Sequence, residues 1–268
     1  DGTFSLGEKL MKITWFGCAS LLIENGEERI LIDPFLSLRG AENHPSLSAY
    51  QQEDAILITH GHIDHLGSIP LILRDSQATV YCSKTPAATL EKKRTDSDQI
   101  VLIRPKDKLL FGNIKVTVLP GKHIRFDRRL IRHTLLNFRI LQYFPNFLHL
   151  LMKNFVYQEN DETLTFLIES EGKSILVLGS LSLRENTEYP ENVDMLILPY
   201  QGATDLVLPA LAIIEKIKPK AVFLDHFDDA FPPISSHIDT KPLKKALEKH
   251  FPNLSVVKPT AGKPVTLP

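Results

Sequence analysis

The 268-residue sequence predicts an α/β fold, a four-layer αββα sandwich, from three observations. Short apolar runs of strand length crowd the first third of the chain and return in its carboxy-terminal half. Segments of helical period fall between them. Each β-rich half has to bury one face and cover the other, which a pair of stacked sheets flanked by helices achieves.

Residues 13–16, 19–24 and 29–33 read as strands, and Asn25-Gly26 between the last two is a hairpin signal. A further strand is expected at 55–59, a short helix from 68 to 74, a strand at 78–82 and a helix at 87–93. Strands at 100–104 and 114–119 follow, the second ending in Pro120-Gly121-Lys122-His123. In the second half, strands 164–169 and 174–178 flank Glu171-Gly172, another hairpin signal. Then come a strand at 194–198, a helix at 206–216, a strand at 221–225, a helix at 241–249 and a strand at 254–257.

Composition narrows the class. Hydrophobic residues make up 43% and charged residues 24%, enough for a substantial core. The formal net charge of -1 provides no global field for nucleic acid or an anionic membrane. Cys18 and Cys82 cannot build a disulfide framework and lack metal-ligand spacing, so both are expected as buried free thiols. That fits a reducing compartment, and with no secretory signal a cytoplasmic location is expected. Met11 opens the first strand, so residues 1–10 read as an N-terminal extension and 11–268 as one domain.

The chemistry concentrates in Thr59-His-Gly-His-Ile-Asp-His-Leu-Gly67, directly after the apolar run Ala55-Ile56-Leu57-Ile58. His60 and His62 are two residues apart, so in extended backbone their imidazoles share a side. Asp64 and His65 follow where the chain turns. A solvated turn is the plain alternative, yet polar groups this dense at the end of a buried strand need a partner to offset desolvation. Imidazole and carboxylate suit borderline divalent metals, zinc above all.

His-x-His-x-Asp-His after a hydrophobic strand resembles the signature of the metallo-β-lactamase-fold hydrolases. Met11-Lys-Ile-Thr-Trp-Phe-Gly17, Leu21-Leu-Ile-Glu24 and Ile30-Leu-Ile-Asp-Pro-Phe35 are similar to the amino-terminal strands of the branch containing L-ascorbate-6-phosphate lactonase and its uncharacterised relatives. The resemblance implies the same αββα fold with metals at one edge of the sheets. It aligns His123 with the family's third histidine and His226 with its last. The implied ligands are His60, His62 and His123 for one ion, and Asp64, His65 and His226 for another. Asp33 is expected behind them, orienting a ligand imidazole or forming an Asx turn before Pro34. His44, His133, His149, His237 and His250 lack such context.

One position departs from the family. Relatives carry Gly-Asp after the strand matching 175–178, and that aspartate bridges two metals; here Gly179 is followed by Ser180. Two divalent ions about 3.5–4 Å apart repel, and a bridging anion offsets this. A weakened second position is therefore expected, with Asp225 or Asp228 as substitute carboxylates.

Between the halves, residues 128–158 contain no acidic side chain but do contain Arg128, Arg129, Arg132, Arg139 and Lys153, among many large apolar residues. No uncharged run reaches the roughly 20 residues a membrane-spanning helix needs. Two amphipathic helices around Pro145 are expected in this insertion, about 126–158. Their uses are a core cover, a dimer contact, or a lid that binds an anionic or amphiphilic substrate or touches a membrane surface.

The leading expectation is a hydrolase using a metal-bound hydroxide on an ester, lactone or phosphodiester, with Asp64 as ligand and catalytic group. Zn2+ is the expected ion, one or two per chain, with Mn2+ or Fe2+ as other candidates. The alternative is a metal-binding sensor or interaction module that has lost hydrolysis, which Ser180 motivates. Nucleic-acid processing is excluded for lack of an aromatic-basic surface.

Overall fold

A computed structural model describes residues 10–267, so the extension expected over 1–10 lies, except for Leu10, outside the described residues. The first seven strands are β1 (Lys12–Gly17), β2 (Ser20–Asn25), β3 (Glu28–Ile32), β4 (Ala55–Leu57), β5 (Thr79–Cys82), β6 (Ile100–Leu102) and β7 (Lys108–Phe111). The rest are β8 (Ile114–Pro120), β9 (Leu164–Ser170), β10 (Lys173–Leu178), β11 (Met195–Pro199), β12 (Ala221–Asp225), β13 (Ser255–Val257) and β14 (Pro264–Thr266). They form two seven-stranded sheets, ordered β14-β1-β2-β3-β4-β5-β6 and β13-β12-β11-β10-β9-β8-β7. Both expected hairpins are present, with Gly26 and the Glu171-Gly172 pair at positive φ in their turns.

Side-chain alternation builds the layers. In β3, Ile30 and Ile32 join the main core while Leu31 joins the second cluster on the opposite face. Leu57 in β4 likewise faces the main core, and Ile56 faces the second cluster. That outer cluster is closed by Leu66 of α1 (Ile63–Leu66), Ile69 and Ile72 of α2 (Ile69–Ile72) and Leu90 of α3 (Lys84–Lys92). Strands buried on both faces read as continuous apolar runs, which is why 55–58 carries no polar alternation.

Five features correct the sequence expectations. A helical turn, α1, forms where only a chain reversal was expected, and α2 runs into a 3₁₀ turn ending at Asp75. α3 starts three residues early. Strands β7 and β14 were not foreseen, because both are short, half-exposed edges with no long apolar run. The insertion forms three helices rather than two, α4 (Arg128–Leu135), α5 (Arg139–Gln142) and α6 (Phe144–Asn154). Pro145 sits in the first turn of α6, where its missing N–H costs nothing, so it starts a helix instead of separating two. Two more helices, α7 (Val207–Ile217) and α8 (Lys241–His250), bury Ile213, Ile214, Leu243 and Leu247 in the main core.

The insertion is pinned over one edge of the sandwich. Asp127 caps α4 through Leu130 N–H (2.7 Å) and accepts from the N–H and hydroxyl of Thr204. Arg139 pairs with Asp229 and donates to the Ser235 carbonyl, and Asn146 donates to the carbonyls of Arg39 and Pro232. No helix among the described residues is long and apolar enough to cross a membrane.

Candidate metal centre

The residues singled out by sequence converge just past strand ends. His60 and His62 follow β4, His123 follows β8, Ser180 follows β10 and His226 follows β12, while Asp33 ends the β3 segment. Asp33 (φ 45°) and His226 (φ 58°) adopt left-handed backbone, an uncommon and strained choice for residues other than glycine. At His226 this bend redirects the chain immediately after β12. Gly61, between the two histidines, lies against the Gln158 carbonyl: a Cβ there would sit 2.1 Å from that oxygen.

Hydrogen bonds assign the imidazole tautomers. Asp33 accepts from the Thr59 N–H (2.8 Å), from the Thr59 hydroxyl and from His65 Nδ1–H (2.7 Å). With its proton given to Asp33, the Thr59 oxygen accepts from His60 Nδ1–H at 3.0 Å. His123 donates Nδ1–H to the Ile124 carbonyl at 2.7 Å. His60 and His123 therefore each spend one ring proton on the protein and keep Nε2 as a bare acceptor, while His65 commits its Nδ1–H to Asp33.

Two groups of donor atoms result. His60, His62 and His123 bring ligand atoms within 4.8 Å of one another, as do Cys18, Asp64 and His226. In the first, His60 Nε2 and His62 Nδ1 face each other at 3.1 Å, an arrangement that needs a proton or a cation between them. A proton is disfavoured. Burial first, and then the neighbouring imidazoles, hold His60 well below its ordinary pKa and push His62 down. Burial and His62 lower His123 to about 4. Neutral imidazoles converging in a largely buried pocket fit a divalent ion.

The second group is anionic in character. Burial alone would raise the Asp64 carboxyl, but His65 and His226 hold it well below the usual carboxylate range. Burial opposes a charge on His226, yet Cys18 and Asp64 raise it well above its ordinary value. Burial pushes the Cys18 thiol itself up to about 12, so in the metal-free protein Cys18 is a neutral thiol. Asp225 is also buried, with Oδ1 lacking a hydrogen-bond partner, and burial lifts it to about 7 against the pull of His226 and His65.

Cys18 joins two of the three expected donors in this second group, with Sγ 3.6 Å from His226 Nε2. His65, the third expected donor, has Nδ1 committed to Asp33, and its Nε2 stands 3.6 Å from Asp64 Oδ2 at the edge of that group. The buried free thiols were anticipated, but the absence of metal spacing around Cys18 is corrected by the fold. No local spacing could have shown it, because 208 residues separate Cys18 from His226. Ser180 accepts from the Ile124 N–H at 3.0 Å, which steadies the chain after His123. Asp228, considered as a substitute carboxylate, has both oxygens engaged by Cys18 N–H and Asn43 Nδ2 (2.8 Å each). His237 pairs with Glu42 at the surface, and His44, His149 and His250 are exposed; the His133 side chain lies outside those described.

A cavity of about 420 Å³ opens onto both trios. His62, Asp64, His123, Ser180 and His226 form its polar end, and Leu130, Ile131, Phe147, Leu150 and Leu151 of the insertion form its apolar wall.

Residues 12–224 match the family described as Beta-lactamase superfamily domain. A UPF0173 metal-dependent hydrolase of Alkaliphilus metalliredigens is 27% identical over 252 residues, covering 92% of this chain and 99% of that protein. Among solved structures, the metallo-beta-lactamase fold protein YhfI of Bacillus subtilis superposes with a TM-score of 0.65 at 17% identity, covering 96% of this chain and 99% of that one. Igni18, a metallo hydrolase of Ignicoccus hospitalis, gives 0.62 at 18% identity, over 96% and 97% of the two chains. At such identities the structural likeness speaks for the fold alone. The sequence match reaches Leu224 in β12 and takes in every converging loop but the final turn at His226, so the chain belongs to the beta-lactamase superfamily and has the metallo-β-lactamase fold.

Proposed function

We propose that the protein is a metal-dependent hydrolase acting on an ester, lactone or phosphodiester bond of an anionic amphiphile. The observation that carries this reading is the continuity of the cavity, donor atoms at one end and an apolar wall at the other. Zn2+ suits the nitrogen-rich donor set best, with Mn2+ or Fe2+ as alternatives. Held by His60, His62 and His123, such an ion would acidify a bound water towards neutral pH and polarise the scissile group.

The protein's own groups divide the remaining work. Asp64, held ionised by His65 and His226, would orient the nucleophile. Asp33 fixes Thr59 and His65 and, through the Thr59 oxygen, His60. The insertion wall receives an apolar tail and excludes water. Arg128, Arg129 and Arg132 on α4, with no acidic residue between 128 and 158, favour an anionic head or surface. Exposed Leu136, Phe138, Leu141 and Phe155 give the same insertion an outward apolar face suited to peripheral contact with a membrane.

Turnover of matched esters, lactones and phosphodiesters of increasing acyl length tests this. The expected result is chelator-sensitive hydrolysis whose kcat/KM rises with chain length. A flat dependence on length contradicts the amphiphilic substrate. No turnover of any class by the metal-loaded protein, with activity appearing in Ser180→Asp, favours the second reading, a metal-binding sensor whose lost carboxylate Ser180 marks.

A further inference from the structure

The second donor group lacks the anion that a bridging carboxylate would supply, because Ser180 is neutral and its oxygen accepts from the Ile124 N–H. We propose that Cys18 is a metal ligand, its sulfur joining Asp64 and His226 in the second site and supplying the negative charge that Ser180 does not. This rests on the metal-centre reading above and adds to it a ligand from the opposite end of the chain.

The distances suit coordination. Cys18 Sγ lies 3.6 Å from His226 Nε2, and Asp64 Oδ2 lies 3.1 Å from the same nitrogen. All three donor atoms fall within 4.8 Å of one another. Around a tetrahedral zinc, with sulfur at about 2.3 Å and nitrogen or oxygen at about 2.0–2.1 Å, ligand atoms stand about 3.5 Å (S to N) and about 3.3 Å (N to O) apart. The two edges through Nε2 are close to that figure, but Sγ also lies 3.9 Å from His226 Nδ1, so the sulfur flanks the ring and has to turn towards the Nε2 side to reach the ion. His65 Nε2, 3.6 Å from the same Asp64 oxygen, is a fourth donor within reach.

The backbone is built to hold the sulfur there. Cys18 sits in the β1–β2 turn with φ 51°, a strained conformation for a residue with a side chain. Three hydrogen bonds fix it. Its N–H donates to Asp228 Oδ1 (2.8 Å), and its carbonyl accepts from Trp15 Nε1 (2.7 Å) and from the His226 N–H (2.8 Å). The last bond joins the two ligand-bearing residues directly, so thiol and imidazole are presented together. Cys82 provides the contrast: it is equally buried, but it packs among Ile56, Val80 and Leu90 with no imidazole beside it. A thiol needed only for packing would resemble Cys82.

Coordination forms one metal–sulfur bond and releases the thiol proton to solvent, with no change of oxidation state. Because the bound thiolate adds to the Asp64 carboxylate, the second ion faces two negative charges despite Ser180.

X-ray absorption at the zinc edge of the zinc-loaded wild-type protein reads this without any variant. The expected spectrum contains one sulfur scatterer at about 2.3 Å shared over two ions. A shell of nitrogen and oxygen alone overturns the proposal while leaving the metal centre intact. Failure to take up zinc overturns both. Cobalt loading gives a second readout, a thiolate-to-cobalt charge-transfer band that persists in Cys82→Ala and disappears in Cys18→Ser. Cys18→Ser should keep the first ion and bind the second at least about 100-fold more weakly, beyond the 10–100-fold that loss of an outer-shell partner costs. Two ions retained at wild-type affinity in that variant count against Cys18.

Discussion

The two donor groups differ in kind, and the difference separates what is local in this molecule from what is assembled. His60, His62 and His123 are neutral rings held short of protonation by burial and by one another. Cys18, Asp64 and His226 form a mixed group in which a carboxylate stays ionised and an imidazole is pushed towards its charged form. The first group suits any borderline divalent ion. The second suits an ion only through the anions that face it, so its occupancy depends on residues brought together from 18, 64 and 226.

The largest expected effect comes from Asp64, which faces the shared cavity. Asp64→Asn removes an anionic donor that orients the nucleophile while keeping the shape, and kcat should fall by about 10²–10⁴-fold. Steady-state kinetics on any turned-over substrate measures this; a variant within tenfold of wild type means that Asp64 does not act on the nucleophile.

Asp33→Asn acts one layer back. It weakens the grip on Thr59 and His65 without touching an ion, so metal affinity should drop about 10–100-fold with the fold retained. A competition titration against a chromogenic chelator gives the number, and unchanged affinity would show that the tautomers are set elsewhere.

Acidity separates the two groups in the metal-free protein. The first trio has pKa values lowered on folding, His123 from its ordinary 6.5 to about 4. The unfolded chain binds those protons more tightly, so the contribution to stability is present above about 6.5 and lost as pH falls towards 4. His65 and His226 have raised values, so theirs is present below about 6.5 and lost as pH rises through their folded pKa. Thermal midpoints across pH should show an acidic limb that His123→Asn flattens and an alkaline limb that His226→Asn flattens. Identical profiles for wild type and His123→Asn would contradict the assignment.

The smallest effect on stability is expected at the outer face of the insertion. Phe138 is 80% exposed, and Phe138→Ser should change unfolding free energy by no more than about 0.5 kcal/mol. Leu150, 7% exposed against the cavity, should lose about 2–5 kcal/mol on change to Ala. If Phe138→Ser nevertheless lowers binding to anionic vesicles, the outer face is a contact surface.

Much of this was legible in the chain. The run Ala55-Ile56-Leu57-Ile58 announced a strand buried on both faces, the spacing of His60 and His62 after it pointed to two ligands on one side, and the family resemblance supplied His123. The layered fold followed from the same alternation. Cys18 was not legible, because its neighbours His226 and Asp228 arrive from the other sheet and contacts across such separations leave no periodic trace. Edge strands β7 and β14 escaped for a different reason: half-exposed three- and four-residue strands carry little hydrophobic signal. The third insertion helix depended on whether Pro145 ended or began a helix, which composition does not settle.

The central claim is a pair of unlike metal sites at one sheet edge. Native mass spectrometry of the wild-type protein, stripped and then titrated with zinc, tests it most directly. The account predicts two ions per chain, the second lost selectively in Cys18→Ser and the first in His123→Ala. A chain that binds fewer than one ion after saturation would contradict it.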